Sequence, residues 1–387
     1  MSERIYFDWN ATAPLREEVR SAMTTALGLT GNASSIHAEG RAARRLVEDA
    51  RAQVAALVGA EPKNVTFTSG ATEANTLALT AAIETAGEKR RRDRLFVSAI
   101  EHVSVLCGGR FATADVEVLP VDAEGVVDRN GLRRALARAE RPLISVMLAN
   151  NETGLIRPIR EVADLVHEAN GLLHVDAVQA PGRIDCTIET LGADLMTLSS
   201  HKLGGPQGAG ALIRRGDLHI TEPLIRGGGQ ERGLRGGTEN VAAIAGFGAA
   251  AKTAAAARQS DAAHMAKLRD RLEAGLKAST PQVVTFGAGA ARLPNTTLFA
   301  APGMKAETAI IAFDLNGIAV SSGAACSSGK VQASHVLAAM GVEAGLARGA
   351  VRVSLGWAST EDEVERFLET WNTLSGSLLK ERRGIAA

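Results

Sequence analysis

Seven short apolar segments, most of them separated by helical patterns, constrain the fold of this chain more than any other feature. The segments are 65–68, 95–98, 116–119, 143–148, 172–175, 195–198 and 209–213. Continuous apolar runs of this length are typical of strands that are buried on both faces. Their alternation with helices favours a mostly parallel sheet. We therefore predict an α/β fold in which helices cover both faces of such a sheet.

The chain changes character near residue 260. Helical patterns at 42–58 and 158–169 lie between the apolar segments, whereas a long charged helix at 262–276 precedes a stretch rich in Gly, Ala and Pro. A final helix is predicted after Thr360, because Glu363 stands at capping-box distance. A chain of 387 residues has room for two domains. We predict a large domain over 15–260 and a smaller domain formed by 1–14 and 261–387.

The composition argues against several classes of protein. Lys and Arg total 43, as do Asp and Glu, so an overall nucleic-acid or membrane binder is not expected. We interpret the basic run at 89–94 as a solvated loop rather than a binding patch. The longest apolar run, 241–251, is too short to span a bilayer, and residues 1–10 do not resemble a signal peptide. Three cysteines form no disulfide framework, so we expect a cytoplasmic protein, and no Cys/His spacing indicates a metal site.

An acid and a lysine follow two neighbouring apolar segments. Asp176 comes directly after 172–175, and Lys202 follows 195–198, 26 residues beyond Asp176. In open α/β sheets ligands bind beyond the carboxyl ends of the strands, so both side chains are expected to face one pocket. Such a pair suits pyridoxal 5′-phosphate (PLP), which joins a lysine as a Schiff base and places its pyridinium nitrogen beside an acid. PLP is therefore the predicted cofactor.

Two glycine-containing segments have the features of a phosphate site. Segment 67–73 follows a strand and opens a helix, where free N–H groups and the helix dipole favour an anion. An ordinary helix cap is the alternative interpretation. Segment 227–240 contains six glycines, and its Thr238 opens another helix and can offer a further donor. A flexible loop is the alternative there.

His102 and Cys326 are the side chains best suited to proton and sulfur chemistry. His102 follows segment 95–98 at the edge where the pocket is expected, and an imidazole there can stack on a flat cofactor and move protons. Cys326 lies among small residues, a setting typical of an exposed nucleophile rather than a structural thiol. The side chains that we interpret as surface or packing residues are His37, His167, His219, His335, Cys107 and Cys186.

These segments together resemble a cysteine desulfurase of the class V aminotransferase family, the bacterial group that serves iron–sulfur cluster assembly. The resemblance covers nearly the whole chain. It is carried by residues 8–12, 34–37, 68–74, 101–102, 148–154, 174–179, 199–202, 227–240, 293–296 and 321–328. It implies the type I fold of PLP-dependent transferases, with a mostly parallel seven-stranded sheet, helices on both faces and a smaller α+β domain.

The resemblance also implies how PLP is held. Lys202 would bind it covalently, Asp176 would pair with the pyridinium nitrogen and Gln179 with the phenolate oxygen. His102 would stack on the ring. The residues implied in binding the phosphate are Ala71, Thr72, Ser199, His201 and, from the partner subunit of a homodimer, Thr238.

The implied substrate is L-cysteine, held by Asn10, Asn151 and Arg352, with Asn151 also contacting the cofactor. Cys326 would accept the sulfur as a persulfide while L-alanine is released, and a scaffold protein of iron–sulfur cluster assembly or another acceptor would receive that sulfur. Two alternatives remain open. One is a different PLP reaction, such as transamination or selenocysteine lysis, and the other is a non-enzymatic scaffold that presents a thiol.

Overall fold

The computed structural model describes residues 4–85, 90–216, 218–322 and 334–379. These residues form fifteen β-strands and twelve α-helices. The strands are β1 (Ile5–Tyr6), β2 (Val65–Thr68), β3 (Ile83–Thr85), β4 (Arg94–Ser98), β5 (Val116–Leu119), β6 (Pro142–Ser145), β7 (Leu172–Asp176), β8 (Leu195–Ser199), β9 (Gly210–Arg214), β10 (Leu218–Ile220), β11 (Val284–Thr285), β12 (Thr296–Ala300), β13 (Ile318–Ala319), β14 (Ser321–Ser322) and β15 (Val351–Ser354). The helices are α1 (Glu17–Leu27), α2 (Ala38–Leu57), α3 (Ala71–Ala78), α4 (Val103–Leu106), α5 (Arg129–Leu136), α6 (Ile159–Glu168), α7 (Ile188–Leu191), α8 (Val241–Ser279), α9 (Ala306–Leu315), α10 (His335–Ala339), α11 (Ala344–Arg348) and α12 (Glu361–Leu378).

The seven predicted apolar segments all contribute strands to one large sheet. Its strand order is β2-β9-β8-β7-β6-β4-β5. The five strands from β8 to β5 pair in parallel, whereas β9 runs antiparallel to both of its neighbours, β2 and β8. The sheet is therefore mostly parallel, as predicted.

Alternate side chains of the large sheet enter different cores. Phe96 and Ile144 pack in one core with residues of α2, α6 and α8, whereas Leu95 and Leu143 pack in another with residues of α3. Every residue of β7 and β8 is buried. Because helices cover both faces, these strands have continuous apolar sequences instead of alternating ones. The predicted α/β class is confirmed.

A second, antiparallel sheet lies in the C-terminal part of the chain. Its strand order is β11-β12-β15-β14, and it packs with residues of α8, α9 and α12 around a separate core. The predicted capping box at the start of α12 is confirmed. Glu363 N donates to Thr360 Oγ1 at 3.2 Å, and Thr360 N donates to Glu363 Oε2 at 2.8 Å. These two hydrogen bonds satisfy N–H groups that a helix start leaves free.

The helix α8 joins the two cores. Phe247, near its start, belongs to the core on the large sheet, and Leu268, Leu272 and Leu276 belong to the core on the small sheet. Residue 260, the predicted domain boundary, falls inside this one helix of 39 residues. The division into 15–260 on one side and 1–14 with 261–387 on the other stays a prediction.

The basic run at 89–94 is only partly a solvated loop. Arg90 and Arg91 are exposed and form ion pairs with Glu140 and Glu222, whereas Arg92 is buried. Lys89 lies outside the described residues. In the described part of the chain, no helix has the length and apolar character needed to cross a membrane.

Candidate active site

A cavity of about 610 Å³ opens beyond the carboxyl ends of strands β7 and β8. Its volume lies within the range of small-molecule sites, roughly 300–1,000 Å³. The predicted site residues that line it are Asn10, Ala71, Thr72, His102, Asn151, Asp176, Gln179, Ser199, His201, Lys202 and Arg352. The fold thus brings together eleven residues from several parts of the sequence. Most of them follow strands that end at one edge of the large sheet, whereas Asn10 comes from the N-terminal segment and Arg352 from β15.

Asp176 and Lys202 lie where adjacent parallel strands end. Asp176 is the last residue of β7, and Lys202 lies in the short 3₁₀ turn that follows β8. Asp176 is buried, and its carboxylate accepts hydrogen bonds from Val178 N and Asn75 Nδ2, both at 3.0 Å. The Lys202 ammonium donates to two main-chain oxygens, Asn10 O at 2.6 Å and Ala11 O at 2.7 Å. An acceptor-only carboxylate and a lysine amine therefore line the same cavity.

A chain of hydrogen bonds connects Asp176 with His102. Asn75 Nδ2 donates to Ser104 Oγ at 2.9 Å, and Ser104 Oγ lies 2.8 Å from His102 Nδ1. Since Ser104 N also donates to this ring nitrogen, at 3.2 Å, Nδ1 acts as the acceptor and the proton of neutral His102 sits on Nε2. Burial lowers the pKa of His102, and the nearby Asp176 charge offsets this only in part. His102 is therefore neutral at pH 7 and presents an N–H donor.

Asn75 and Ser104 were not among the predicted site residues. Asn75 follows Ala71 by one helical turn, so the two side chains share a face of α3 and both line the cavity. That spacing is the one sequence signal for Asn75. Ser104 has no comparable signal, because its position depends on how α4 packs near α3.

The N-terminus of α3 borders the cavity and is available to an anion. Its N-cap, Gly70, provides no side-chain hydrogen bond to the first turn. The choice between a phosphate site and an ordinary cap for segment 67–73 stays a prediction. Strand β9 passes unusually close to this turn, since a Cβ on Gly210 would lie 2.5 Å from the carbonyl carbon of Gly70. Uncapped N–H groups and the positive end of the helix dipole favour a phosphate at this point.

Arg352 brings a second positive charge to the cavity. It extends from β15 and is 3% exposed. Its Nη1 donates to Asn151 O at 2.8 Å, and its Nη2 pairs with Asp8 Oδ1 at 2.7 Å. Asn10 Nδ2 donates to the same Asn151 oxygen at 3.2 Å. The N-terminal segment, the 151 loop and β15 thus converge on a point suited to a carboxylate.

His201 lies beside Lys202 and contacts the N-terminal segment. Its Nδ1 lies 3.2 Å from Thr12 Oγ1. Burial, with a smaller contribution from the Lys202 charge, lowers the pKa of His201 to about 4. A phosphate near His201 would therefore meet a neutral imidazole at pH 7.

These residues fit PLP by the chemistry of their side chains. Lys202 supplies an amine, Asp176 an acceptor for a pyridinium N–H, and the α3 N-terminus a phosphate site. Thr238 is exposed and does not line the cavity of its own chain, so its predicted role from a partner subunit stays a prediction. Cys326 lies outside the described residues.

His335, interpreted as a surface or packing residue, is exposed and does not line the cavity, but it contacts the loop before His102. Its Nε2 is 3.0 Å from Glu101 O, one residue before His102. Because this oxygen can only accept, Nε2 donates to it. The sequence around His335 carried no sign of this contact, which joins α10 to the loop after β4.

His174, two residues before Asp176, should make the protein sensitive to acid. It is fully buried, and its ring nitrogens lie 2.8 Å from Ser145 Oγ and 2.9 Å from Thr197 Oγ1. Burial lowers the pKa of His174 to about 4. The unfolded chain, with a histidine pKa of about 6.5, therefore binds more protons between these values, and stability falls as the pH drops from about 6.5 to about 4. His174→Gln should reduce the loss in unfolding free energy between about pH 7 and 5 by about 2 kcal/mol, measured by urea unfolding.

The control for this prediction is His219→Gln, which replaces an exposed histidine on β10. Between about pH 7 and 5, this variant should lose as much unfolding free energy as the wild type. An unchanged pH dependence in His174→Gln would show that His174 takes up its proton at the same pH in the folded protein as in the unfolded chain.

Comparison with known proteins identifies a family and relatives that align over nearly the whole chain. The family model "Aminotransferase class-V" matches residues 5–367. A cysteine desulfurase from Cereibacter sphaeroides is 42% identical over 373 residues, covering 95% of this chain and 94% of that protein. A cysteine desulfurase IscS from Dictyoglomus turgidum is 39% identical over 389 residues, covering 97% of each. The X-ray structure of a NifS-like protein from Rickettsia africae superimposes with a TM-score of 0.87 at 37% identity, covering 97% of this chain and all of that one.

The match to the family model spans most of the chain, and these relatives align with it along nearly their whole length. Six of the ten segments that carry the sequence resemblance contribute residues to the lining of one cavity. The chain therefore belongs to the aminotransferase class-V family.

Proposed function

We propose that the protein is a PLP-dependent cysteine desulfurase. The aminotransferase class-V family is PLP-dependent, and relatives that align over nearly the whole chain are named cysteine desulfurases. The observation that carries the proposal is the position of Lys202 and Asp176 in one cavity with the α3 N-terminus and Arg352. This set provides an amine, a ring-nitrogen partner, a phosphate site and a carboxylate site.

In this proposal different described residues bind different parts of PLP. Lys202 would bond to it, Asp176 would accept from its ring nitrogen, and Gln179 would contact its phenolate oxygen. His102 and Asn151 would contact the ring. The phosphate-binding residues are Ala71, Thr72, Ser199 and His201, with Thr238 contributed by the second subunit of a homodimer. When bound, PLP supplies an electron-withdrawing group for the bonds around the substrate Cα.

Side chains of the protein bind the substrate and move protons. Arg352, with Asn10 and Asn151, holds the L-cysteine carboxylate. The Lys202 amine, next to the cavity, takes the proton from the substrate Cα and later returns a proton to the substrate. Neutral His102 can donate a hydrogen bond from Nε2, because its Nδ1 already accepts two hydrogen bonds. To carry a proton, the ring must first gain one at Nδ1. Asp176 keeps a negative charge beside the ring nitrogen and so retains the proton there.

Cys326 acts as the nucleophile. Its thiolate attacks the sulfur of the substrate, an S–S bond forms and the C–S bond breaks. The electron pair of the broken bond remains with the substrate carbon, and protonation there yields L-alanine. The sulfur stays on Cys326 as a persulfide. A sulfur-accepting scaffold protein for iron–sulfur clusters, or another acceptor, then takes this sulfur.

The proposal includes a setting for the enzyme. The protein works in the cytoplasm as a homodimer, without nucleic acid or membrane. The large domain over 15–260 binds PLP, and the small domain formed by 1–14 and 261–387 carries Cys326.

Alanine formation from L-cysteine, with a reducing thiol present to regenerate the enzyme, tests the function. Wild-type protein loaded with PLP should form alanine, whereas Cys326→Ala should retain PLP and form none, because the proposed sulfur-accepting thiol is missing. The matched control is Cys107→Ala, which removes an exposed thiol that does not line the cavity. It should form alanine at the wild-type rate.

Two results would contradict the proposal in different ways. Equal alanine formation by Cys326→Ala would keep the PLP reaction and reject Cys326 as the sulfur acceptor. No alanine from PLP-loaded wild type would reject L-cysteine as the substrate.

A further inference from the structure

Arg183 is a buried cation directly behind the cavity wall. It follows β7 by seven residues and is 7% exposed. Among the ion pairs of the described residues, none includes Arg183, and burial lowers its pKa to about 9. An arginine without a carboxylate partner is costly to bury. The hydrogen bonds that offset this cost therefore indicate its role.

All of the hydrogen bonds found for the Arg183 side chain go to two residues of the proposed PLP site. Nη1 donates to the main-chain oxygen of Gln179 at 3.1 Å and also to the side-chain oxygen Oε1 of Gln179. Nη2 donates to the main-chain oxygen of Lys202 at 3.4 Å. One planar guanidinium thus joins the turn after β7 to the turn that carries the lysine.

These contacts determine which way the Gln179 amide faces. Arginine has only donors, so the amide must direct its oxygen toward Arg183. The amide nitrogen Nε2 then faces the other way and donates to Asn10 O at 3.1 Å, the same oxygen that accepts from Lys202 Nζ. In the reversed orientation N–H groups would face the guanidinium, and both sides would lose hydrogen bonds. The result is an N–H donor beside the Lys202 amine at the cavity wall.

We propose that Arg183 is a positioning residue that holds the Gln179 amide with its N–H donor directed at the phenolate oxygen of bound PLP. The proposal rests on the proposed PLP-dependent function. A donor on that oxygen draws electron density from it and weakens its hold on the proton of the Lys202 nitrogen that is joined to the cofactor. Arg183 therefore lowers the pH at which bound PLP changes its visible absorbance.

The measurement is a pH titration of that absorbance in PLP-loaded protein without substrate. Arg183→Met and Gln179→Leu should each raise the midpoint, by about one pH unit, because each removes the oriented donor. The decisive comparison is the double variant. If Arg183 acts through Gln179, Arg183→Met should cause no further rise in the Gln179→Leu background.

Other charges near the titrating nitrogen are the same in all four proteins. The charged and titratable groups that line the cavity or contact its wall are Asp8, Glu73, His102, Asp176, His201 and Arg352. If Arg183→Met raises the midpoint as much in the Gln179→Leu background as in the wild type, Arg183 acts by its own charge. That result would overturn the proposal. An unchanged midpoint in Arg183→Met alone would overturn it as well.

A second variant tests the same proposal if Arg183→Met does not fold. Arg183→Lys keeps the cation but loses the planar pair of donors, and it should raise the midpoint by less than Gln179→Leu does. It should again add nothing to Gln179→Leu. Since the titration needs bound PLP but no turnover, its outcome is independent of the alanine assay. Protein that takes up no PLP would reject the proposed function instead.

Discussion

Replacing Lys202 with alanine should lower kcat/KM for alanine formation from L-cysteine by about 10³-fold or more. The lysine has two proposed tasks, covalent attachment of PLP and proton transfer at the substrate Cα, and acid–base groups alone contribute about 10²–10⁴-fold. Its ammonium lies against Asn10 O and Ala11 O at the cavity wall, where no second lysine lines the described cavity. Steady-state kinetics, together with the absorbance of bound PLP, measure the effect.

The matched control is Lys252→Ala, which removes an exposed lysine on α8. This variant should retain wild-type kinetics and the wild-type PLP spectrum. Turnover by Lys202→Ala within tenfold of the wild type, roughly 1.4 kcal/mol in activation free energy, would reject Lys202 as the reacting lysine.

Arg51→Met should cost about 3–5 kcal/mol of unfolding free energy, the range for a buried ion pair that loses one partner. Arg51 and Glu231 are 1% and 5% exposed and share two hydrogen bonds of 2.7 and 2.8 Å. Glu231 also accepts from Phe67 N at 2.8 Å. Without Arg51 this carboxylate would remain buried and unpaired. Urea unfolding at a constant protein concentration measures the loss.

Two further variants define the cause of that loss. Arg51→Met combined with Glu231→Leu should lose less than Arg51→Met alone, because no buried charge is left without a partner. Arg4→Met breaks an ion pair with Asp314 whose side chains are about 60% exposed, and it should cost less than about 1 kcal/mol. A single-variant loss as small as that of Arg4→Met would show that Glu231 is neutral or solvated in the folded protein.

The ion pair also explains a strained part of the glycine-rich segment. Glu231 has φ 45° and Arg232 has φ 57°, left-handed values that non-glycine residues rarely adopt. The Arg51 and Phe67 contacts hold Glu231 in this conformation, seven residues before Thr238. These contacts lie in the middle of segment 227–240, for which a flexible loop stays the alternative interpretation.

The sequence predicted the large sheet closely because burial on both faces leaves mostly apolar runs in its central strands. The segments 65–68 and 116–119 coincide with β2 and β5. Segment 143–148 extends beyond β6, which ends at Ser145. The reason is that residues 146–148 remain buried beside β7, where Val146 N and Leu148 N donate to main-chain oxygens of that strand.

The site was predictable where a residue lies at a strand end, and unpredictable where its role depends on tertiary contacts. Asp176 and Lys202 follow apolar runs, so their meeting point follows from the topology of a parallel sheet. Nothing in the sequence around Arg183 or Ser104 indicates a contact with a site residue. Only the folded chain shows that Arg183 contacts Gln179 and that Ser104 contacts His102.

In the middle of the long helix α8, the fold restricts the number of residues more than it restricts the identity of their side chains. Each residue turns an α-helix by about 100°, so one added or lost residue between Ala254 and Met265 would rotate Leu268, Leu272 and Leu276 by that angle relative to Phe247. Residues 255–264 are exposed or half-buried, and most substitutions there leave both cores intact. An insertion or deletion in the same stretch would turn one of the two apolar faces away from its core. Sequences that share this fold can therefore vary in composition along the middle of α8 while its length stays the same.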